Sequence, residues 1–499
     1  MGKYLLAHDI GTSGNKASLF TVEGELVKST VVSYEVTYGE GGKAEQNPED
    51  WWKAVCESTK LITDGIDVND VLALSFSAQM QCCLVVDEMG NVLRPAMIWA
   101  DQRAQVQAER LKAALDEHEM YKHLGHRISP AYSIEKLMWI KDSEPEIYEK
   151  TYKMLQVKDY IIYRMTGKFV TDYSDASGTN ALDLENLCWS KQILEVTEIS
   201  EDKLPELHAS TDVIGTLSKE AAEALGLHED VKVVCGGGDG PCSAVGAGCI
   251  EKNQMFLTFG TSAWIGGTTE QKFVDEEEIL FCFAHVIPGK YMPCGTMQAA
   301  GSSYSYARKL FCQEEMRQAE NLGISSWELI NKLVESSPAG AKGLLYLPYL
   351  AGERSPRWNP DASGSFLGIR MYHEKADYMR AVLEGVAMNL ELILQAYRRY
   401  MDIDKMILTG GGAKGDIVAK ILADVLETEL TRPNYVEEAT SIAAAVIAGV
   451  GCGVYEDFSA IHNYLKFRET VMPDKSKEEI YGVQKKKFDA AYYVLKDWY

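Results

Sequence analysis

Residues 233–264, VVCGGGDGPCSAVGAGCIEKNQMFLTFGTSAW, set the architecture of the chain around them. An apolar run (Val231, Val233, Val234) ends in three glycines, Gly236 to Gly238, which deliver a single carboxylate, Asp239. Pro241 suits the first turn of a small-residue helix, Cys242 to Cys249. Met255–Phe259 then reads as a strand emptying into Gly260-Thr261-Ser262, a tight turn rich in backbone and hydroxyl donors. Glycines that expose one acid, beside a turn able to hold phosphate, point to phosphoryl transfer. The competing reading is a buried Asp that caps a helix.

Working outward, the N-terminus carries an echo. Tyr4–His8 is a short apolar strand, followed by Asp9-Ile10-Gly11-Thr12-Ser13-Gly14-Asn15-Lys16 and by strands Ala17–Val22 and Leu26–Ser33. Ile10-Gly11-Thr12-Ser13 repeats as Phe259-Gly260-Thr261-Ser262 about half the chain later, again at the end of an apolar strand. Two similar halves with a ligand shared between their turns are the expected consequence. The first turn fits neither the P-loop nor the dinucleotide fingerprint, because Lys16 lacks the preceding Gly and a strand follows.

The chain has 499 residues, enough for two or three domains with real cores. Lys+Arg of 50 against Asp+Glu of 73 leaves a net charge of −23, and no basic cluster stands out. Nucleic acid and anionic membrane are therefore not expected partners, and a polyphosphate would need a metal ion and backbone donors. The N-terminus shows no signal-peptide pattern, and the longest mild run, Ile442 to Tyr455, is too short to span a bilayer. Eleven cysteines without a C-x-x-C pair read as reduced core residues of a cytoplasmic protein.

Between these landmarks, Pro48 to about Thr63 reads as an amphipathic helix and Val71–Ser77 as a buried strand ending at Gln79-Met80-Gln81. Cys83–Val86 and Asn91–Leu93 read as a hairpin, and Ala96–Trp99 as a strand ended by Asp101-Gln102-Arg103. Strand ends gathering Gln, Asp, Arg and Trp suit a polyol cleft, though Asp101 and Arg103 equally suit a structural ion pair. A helix is expected after Ala300-Gly301, and one long helix from Glu374 to Tyr400. Lys405–Thr409, Gly410-Gly411-Gly412-Ala413-Lys414-Gly415 and Ile417–Leu426 read as strand, turn and helix. That turn fits G-x-G-x-x-G, which keeps a dinucleotide site open beside any nucleotide that approaches bare backbone.

These residues together resemble the FGGY carbohydrate kinases over essentially the full length, and within that family the xylulokinases. The most specific piece is Gly364-Ser365-Phe366-Leu367-Gly368-Ile369 with Asp377-Tyr378 and Ala381-Val382-Leu383-Glu384. Tyr132 to Lys141, Trp99-x-Asp101-x-Arg103, the glycines before Asp239, and Pro348 to Pro356 match in type and order. The resemblance implies an α/β fold of two actin-like (ribonuclease H-type) domains, residues 1–248 and 249–499, with ATP and sugar in the cleft between them. It implies transfer of the γ-phosphoryl group of ATP to a primary hydroxyl, with D-xylulose the first expected acceptor and ribulose, gluconate or a polyol the alternatives. A homodimer is suggested by the resemblance alone.

The resemblance also implies roles. Asp239 is the base and, with Asp9, faces Mg2+; Thr12, Ser13 and Lys16 face the phosphates. Gly260, Thr261 and Ser262 form the second phosphate turn, and Gly301, Gly411, Gly412 and Ala413 abut the nucleotide. Gln79, Met80, Gln81, Trp99, Asp101, Arg103 and Asp239 contact the sugar. Two positions depart from the xylulokinase pattern: Gln81 stands where His is usual, and Gly240 where an amide side chain is common. Two other readings compete with a kinase: a non-catalytic ATP-binding sugar sensor and an NAD-dependent enzyme. A zinc hydrolase built on His123 and His126 lacks the Glu and third ligand.

Overall fold

In the computed structural model, which describes residues 3–499, two seven-stranded sheets organise the chain. The first half contains β1 (Tyr4–Ile10), β2 (Gly14–Thr21), β3 (Leu26–Ser33), β4 (Val71–Ala78), β5 (Val213–Thr216), β6 (Lys232–Val234) and β7 (Gly237–Gly238). Its helices used below are α1 (Pro48–Thr63), α2 (Ser133–Ser143), α3 (Val157–Thr166), α4 (Tyr173–Ser177) and α5 (Asp239–Gly246). The sheet runs β5-β6-β4-β1-β2-β3, with β7 beside β4. β1 is antiparallel to β2 and parallel to β4, which in turn is parallel to β6. Leu5, Leu6, Ala7 and Ile10 are fully buried, as expected for a central strand covered on both faces.

The second half repeats this plan with β8 (Met255–Phe259), β9 (Ala263–Gly267), β10 (Phe281–Ala284), β11 (Tyr291–Met297), β12 (Lys405–Thr409), β13 (Glu429–Pro433) and β14 (Phe467–Val471). The order is β10-β11-β9-β8-β12-β13-β14. Here β8 is antiparallel to β9 and parallel to β12, and β12 is parallel to β13. Three antiparallel strands, two parallel ones and an antiparallel edge strand recur in both halves, with β10 added to the second, and make the actin-like pair of α/β domains. Helices α6 (Gly301–Phe311), α7 (Lys375–Arg398) and α8 (Ala439–Gly451) complete the framework.

α8 departs from chain order. Ile442 to Ala448 are fully buried against Leu5, Ala7, Ala73 and Val234 of the first sheet. Small residues make this approach close: a Cβ at Gly246 of α5 would fall 1.8 Å from the Ala439 carbonyl. A division at residue 248 therefore separates the two sheets but not the two cores.

Local expectations hold where a cap or a period decides them. Asn47 accepts from the Glu49 amide at 3.2 Å and Pro48 occupies the first helical turn of α1. The hairpin expected between 83 and 93 is present but short: the Asp87 amide donates to the Asn91 carbonyl at 3.0 Å and the Leu93 amide to the Val85 carbonyl at 3.1 Å. Leu84–Val86 forms its ladder with Lys153–Leu155 and is bridged across the turn from Val86 to Val92. A distant strand offers a longer ladder than the short turn segment does.

Candidate active site

Asp239 is the first residue of α5, and its cap position is Gly238. The carboxylate does not cap the helix; Oδ1 accepts only the adjacent Gly240 amide, at 2.8 Å. Gly236, with φ +76°, turns the chain beneath Phe76, where a Cβ would lie 2.5 Å from the Phe76 carbonyl oxygen. A Cβ on Gly238 would lie 2.6 Å from Met80 Sδ, so glycine lets the backbone just before Asp239 pass against the Met80 side chain.

Asp239 faces a cavity of about 240 Å³. Met80, Gln81, Trp99, Gly240, Ser262 and Trp264 line its floor and sides. Arg127, Tyr132, Phe281, Phe283, Arg354 and Trp358 close the rest, a set drawn from both halves. Aromatic faces with a few polar groups are the chemistry of a small-polyol site. Gln81 adopts φ +63°, and the buried Lys136 of α2 holds it there by donating to its carbonyl at 2.8 Å and to that of Ile98 at 2.7 Å.

Three residues expected at the sugar lie behind this lining. Gln79 is buried and bonds Gln46 at 2.8 Å and the Thr12 hydroxyl at 3.3 Å. Asp101 is fully buried, accepts the Ala44 amide at 2.9 Å, and is gripped by Arg103 at 2.7 Å. Arg103 also binds Glu45 at 2.6 Å and stacks 4.6 Å over Trp139. The ion-pair reading describes Asp101 and Arg103, because Nε and Nη2 of the guanidinium are both engaged by Asp101 and Glu45 and neither residue lines the cavity. Trp99 does line the cavity, and its indole N–H fixes the Thr12 hydroxyl at 2.9 Å.

A second cavity, about 820 Å³, opens on the other side of the turn at Gly260. Gly260, Thr261, Gly301, Gly411 and Gly412 line it, together with Tyr304, Trp327, Asn331 and Glu437. Glycine is required at two of these points. A Cβ at Gly301 would fall 2.3 Å from the Gly260 carbonyl oxygen, and one at Gly412 would fall 2.1 Å from the Phe259 ring. Ala413 is buried away from the space, its carbonyl taken by Arg432 at 3.1 Å. Ser262 faces the first cavity while Gly260 and Thr261 face the second, so one three-residue turn separates the two.

Asp9, at the end of β1, accepts the Thr440 hydroxyl from α8 at 2.7 Å. Burial raises its pKa above the ordinary carboxylate value. Burial, reinforced by the facing Asp9 charge, pushes Asp239 up to about 7. Lys16 donates to the Glu437 carbonyl at 2.7 Å and approaches Glu438 at 3.5 Å, while Ser13 is exposed at the turn. Thr12, Ser13 and Lys16 are outside the linings of both cavities. Among the described residues no trio of His, Cys, Asp or Glu forms a cage for a metal ion. Mg2+ does not require one, since it keeps several waters and takes one or two carboxylates plus substrate phosphates. Two mutually repelling carboxylates and the orphaned buried Glu438 Oε2 fit that donor set.

The N-terminal domain pattern of the FGGY family of carbohydrate kinases matches residues 4–246, and its C-terminal domain pattern matches 255–452. The chain belongs to this family. It is 33% identical to the gluconokinase of Bacillus subtilis strain 168, over 96% of this chain and 94% of that one. It is 30% identical to the xylulose kinase of Staphylococcus xylosus, over 97% and 100%. Structures of a ligand-bound xylulose kinase and of a gluconate kinase, both from Lactobacillus acidophilus, each superpose with a TM-score of 0.92 at 28% identity, covering 99% of this chain and 98% of the other. As an FGGY carbohydrate kinase the protein uses ATP. Of the Gly410–Gly415 turn, Gly411, Gly412, Lys414 and Gly415 line the second cavity.

His123 and His126 serve structure: the first bonds Ser190 at 2.8 Å, and the second bonds the Ser177 carbonyl at 2.6 Å while stacking on Tyr132. No helix among the described residues is long and apolar enough to cross a membrane. The residues that sequence reasoning missed are Arg127, Phe281 and Phe283 of β10, Trp358, Tyr304 and Trp327, brought in from several segments. Tyr132 and Arg354 lay inside the matched Tyr132–Lys141 and Pro348–Pro356 segments, which were the available signals.

Proposed function

We propose that this kinase transfers the γ-phosphoryl group of ATP to the primary hydroxyl of a small open-chain sugar, with Asp239 as the base. The observation that carries this reading is the turn Gly260–Ser262, which the acceptor cavity and the larger cavity share as a wall. A hydroxyl beside Asp239 and a phosphate lying on the turn meet there. Asp239 accepts the hydroxyl proton as the oxygen bonds to the γ-phosphorus and the bond to the ADP oxygen breaks. Mg2+, held through water by Asp9 and Asp239, would neutralise phosphate charge. A base near pH 7 is well matched to this work, and holding both reactants in line is worth about 7–11 kcal/mol.

D-xylulose, giving D-xylulose 5-phosphate, is the first acceptor we assign, in keeping with the xylulose kinases among the relatives. D-gluconate is the second, favoured by one observation. Among the described residues the Arg354 guanidinium, on the cavity wall and 6.0 Å above Trp99, makes no hydrogen bond or ion pair. A carboxylate would meet that charge, and a ketose would not. A cytoplasmic location fits eleven cysteines that are all free, and a homodimer is retained from the resemblance. ADP release from Mg-ATP across ketoses, aldonates and polyols, with Asp239→Ala alongside, tests the whole reading. Turnover on one sugar that disappears in the variant supports it. ATP binding without turnover on any of them would make the protein a sensor.

A further inference from the structure

Beneath Asp239 lies a buried polar chain that contacts neither cavity. Lys158 of α3 is fully buried, and its ammonium reaches Asp159 at 2.7 Å, Asp172 at 3.0 Å and Asp175 at 3.3 Å. Asp172, just before α4, accepts three bonds on Oδ2: the Ser174 amide at 2.9 Å, the Ser174 hydroxyl at 2.6 Å and the Ser210 hydroxyl at 2.6 Å. The Ser174 hydroxyl, with its proton committed to Asp172, accepts the Gly238 amide at 3.0 Å. Gly238 is the cap of α5 and the residue before Asp239. A Cβ on Gly237 would lie 2.9 Å from Ser174 Oγ, so the glycine admits the serine to the strand. The same short helix reaches the acceptor wall, since Ser177 Oγ accepts the Ala284 amide at 3.2 Å, next to the cavity residue Phe283.

Burying this many charged groups is unfavourable unless each is paired, and a hydrophobic support would fill the space at lower cost. What the chain provides is direction. A hydroxyl whose donor is fixed by a carboxylate presents its lone pair along one line, and that line ends on the amide that sets where Asp239 starts. We propose that Lys158, Asp172 and Ser174 form a positioning unit that holds the Gly238 amide and thereby aims Asp239 at the acceptor hydroxyl. The proposal rests on the reading of Asp239 as the base.

The test is steady-state kinetics of Ser174→Ala, Ser174→Thr, Ser210→Ala and Asp239→Ala, with rates expressed per ATP-binding site by titration. Ser174→Ala is expected to lower kcat at least about tenfold, as displacement of a positioned group does, while KM for sugar and ATP stay within a few-fold. Ser174→Thr, which keeps the acceptor oxygen, restores most of kcat. Ser210→Ala, which leaves the Gly238 bond in place but frees one position on Asp172, gives a smaller fall and decides the matter if Ser174 variants do not fold. Unchanged kcat per site in Ser174→Ala, or in Ser210→Ala when only that variant folds, overturns the proposal. So does a fall in kcat that Thr fails to restore. Normal turnover in Asp239→Ala would instead remove the base assignment itself, a different result from an inactive Asp239→Ala beside a normal Ser174→Ala.

Discussion

The turns at the ends of β1 and β8 have the same Gly-Thr-Ser sequence but are held in different ways. In the first, the Gly11 amide bonds the Gly14 carbonyl at 3.0 Å, and the Thr12 hydroxyl is locked between Trp99 and Gln79. In the second, one residue shorter by strand register, the Gly260 amide bonds the Ser262 carbonyl at 2.9 Å. Its carbonyls hold α6: Gly260 accepts from Gly301 at 3.0 Å, and Thr261 accepts from Ala300 at 3.1 Å and Ser302 at 3.0 Å. Register places Thr258 opposite Trp264 where the first half has Asp9 opposite Lys16. One copy of the repeat thus carries an acid and a cation, and the other a hydroxyl and an aromatic wall. The two copies share a backbone plan and differ in the side chains that it carries.

The largest effect that separates the halves should come from Asp239→Ala, which is expected to lower kcat by at least about a hundredfold with ATP affinity, measured by titration, preserved. The pH profile sharpens the comparison. Activity requires ionised Asp239, so kcat should fall as pH drops through about 7. Asp9→Asn removes the facing negative charge that favours the protonated form, so the acidic limb should move to lower pH while kcat at its plateau also falls. A limb that stays in place would break the link between the two acids.

Smaller effects should fall on the second turn. Gly301→Ala places a methyl 2.3 Å from the Gly260 carbonyl oxygen, so overpacking should cost about 1–3 kcal/mol in thermal unfolding and weaken ATP binding. Gly260→Ala and Gly11→Ala meet only ordinary contacts at 3.6 Å and should both fold. The first should raise KM for ATP more than the second; equal effects would mean that the turns are not divided in role. Smallest is Thr258→Val, which loses the 2.9 Å bond to Thr409 and should cost about 1 kcal/mol with kinetics unchanged.

Much of this was legible along the chain. Period and punctuation gave β1, α1, β8 and the strand–turn–helix at 405–426, because an apolar run closed by glycine or a cap is a local event. The glycine run before Asp239 and the echo of Gly-Thr-Ser located both turns and the acid. Side-chain partners were not legible. Asp101 and Arg103 suit a sugar or each other equally by type, and only the proximity of Glu45, Ala44 and Trp139 assigns them to the interior. Gln79 and Ala413 likewise occupy the right segment and face away from the ligand spaces.

The sequence by itself determined the repeat, the position of the acid and the family, since these depend on short spacings along one strand and its turn. Only the tertiary structure decided which groups line the first cavity, that α8 belongs to the first core, and that the Ser174 hydroxyl meets the Gly238 amide. Those facts depend on residues tens to hundreds of positions apart meeting in space, and packing, not spacing, selects which of several chemically equivalent side chains arrives.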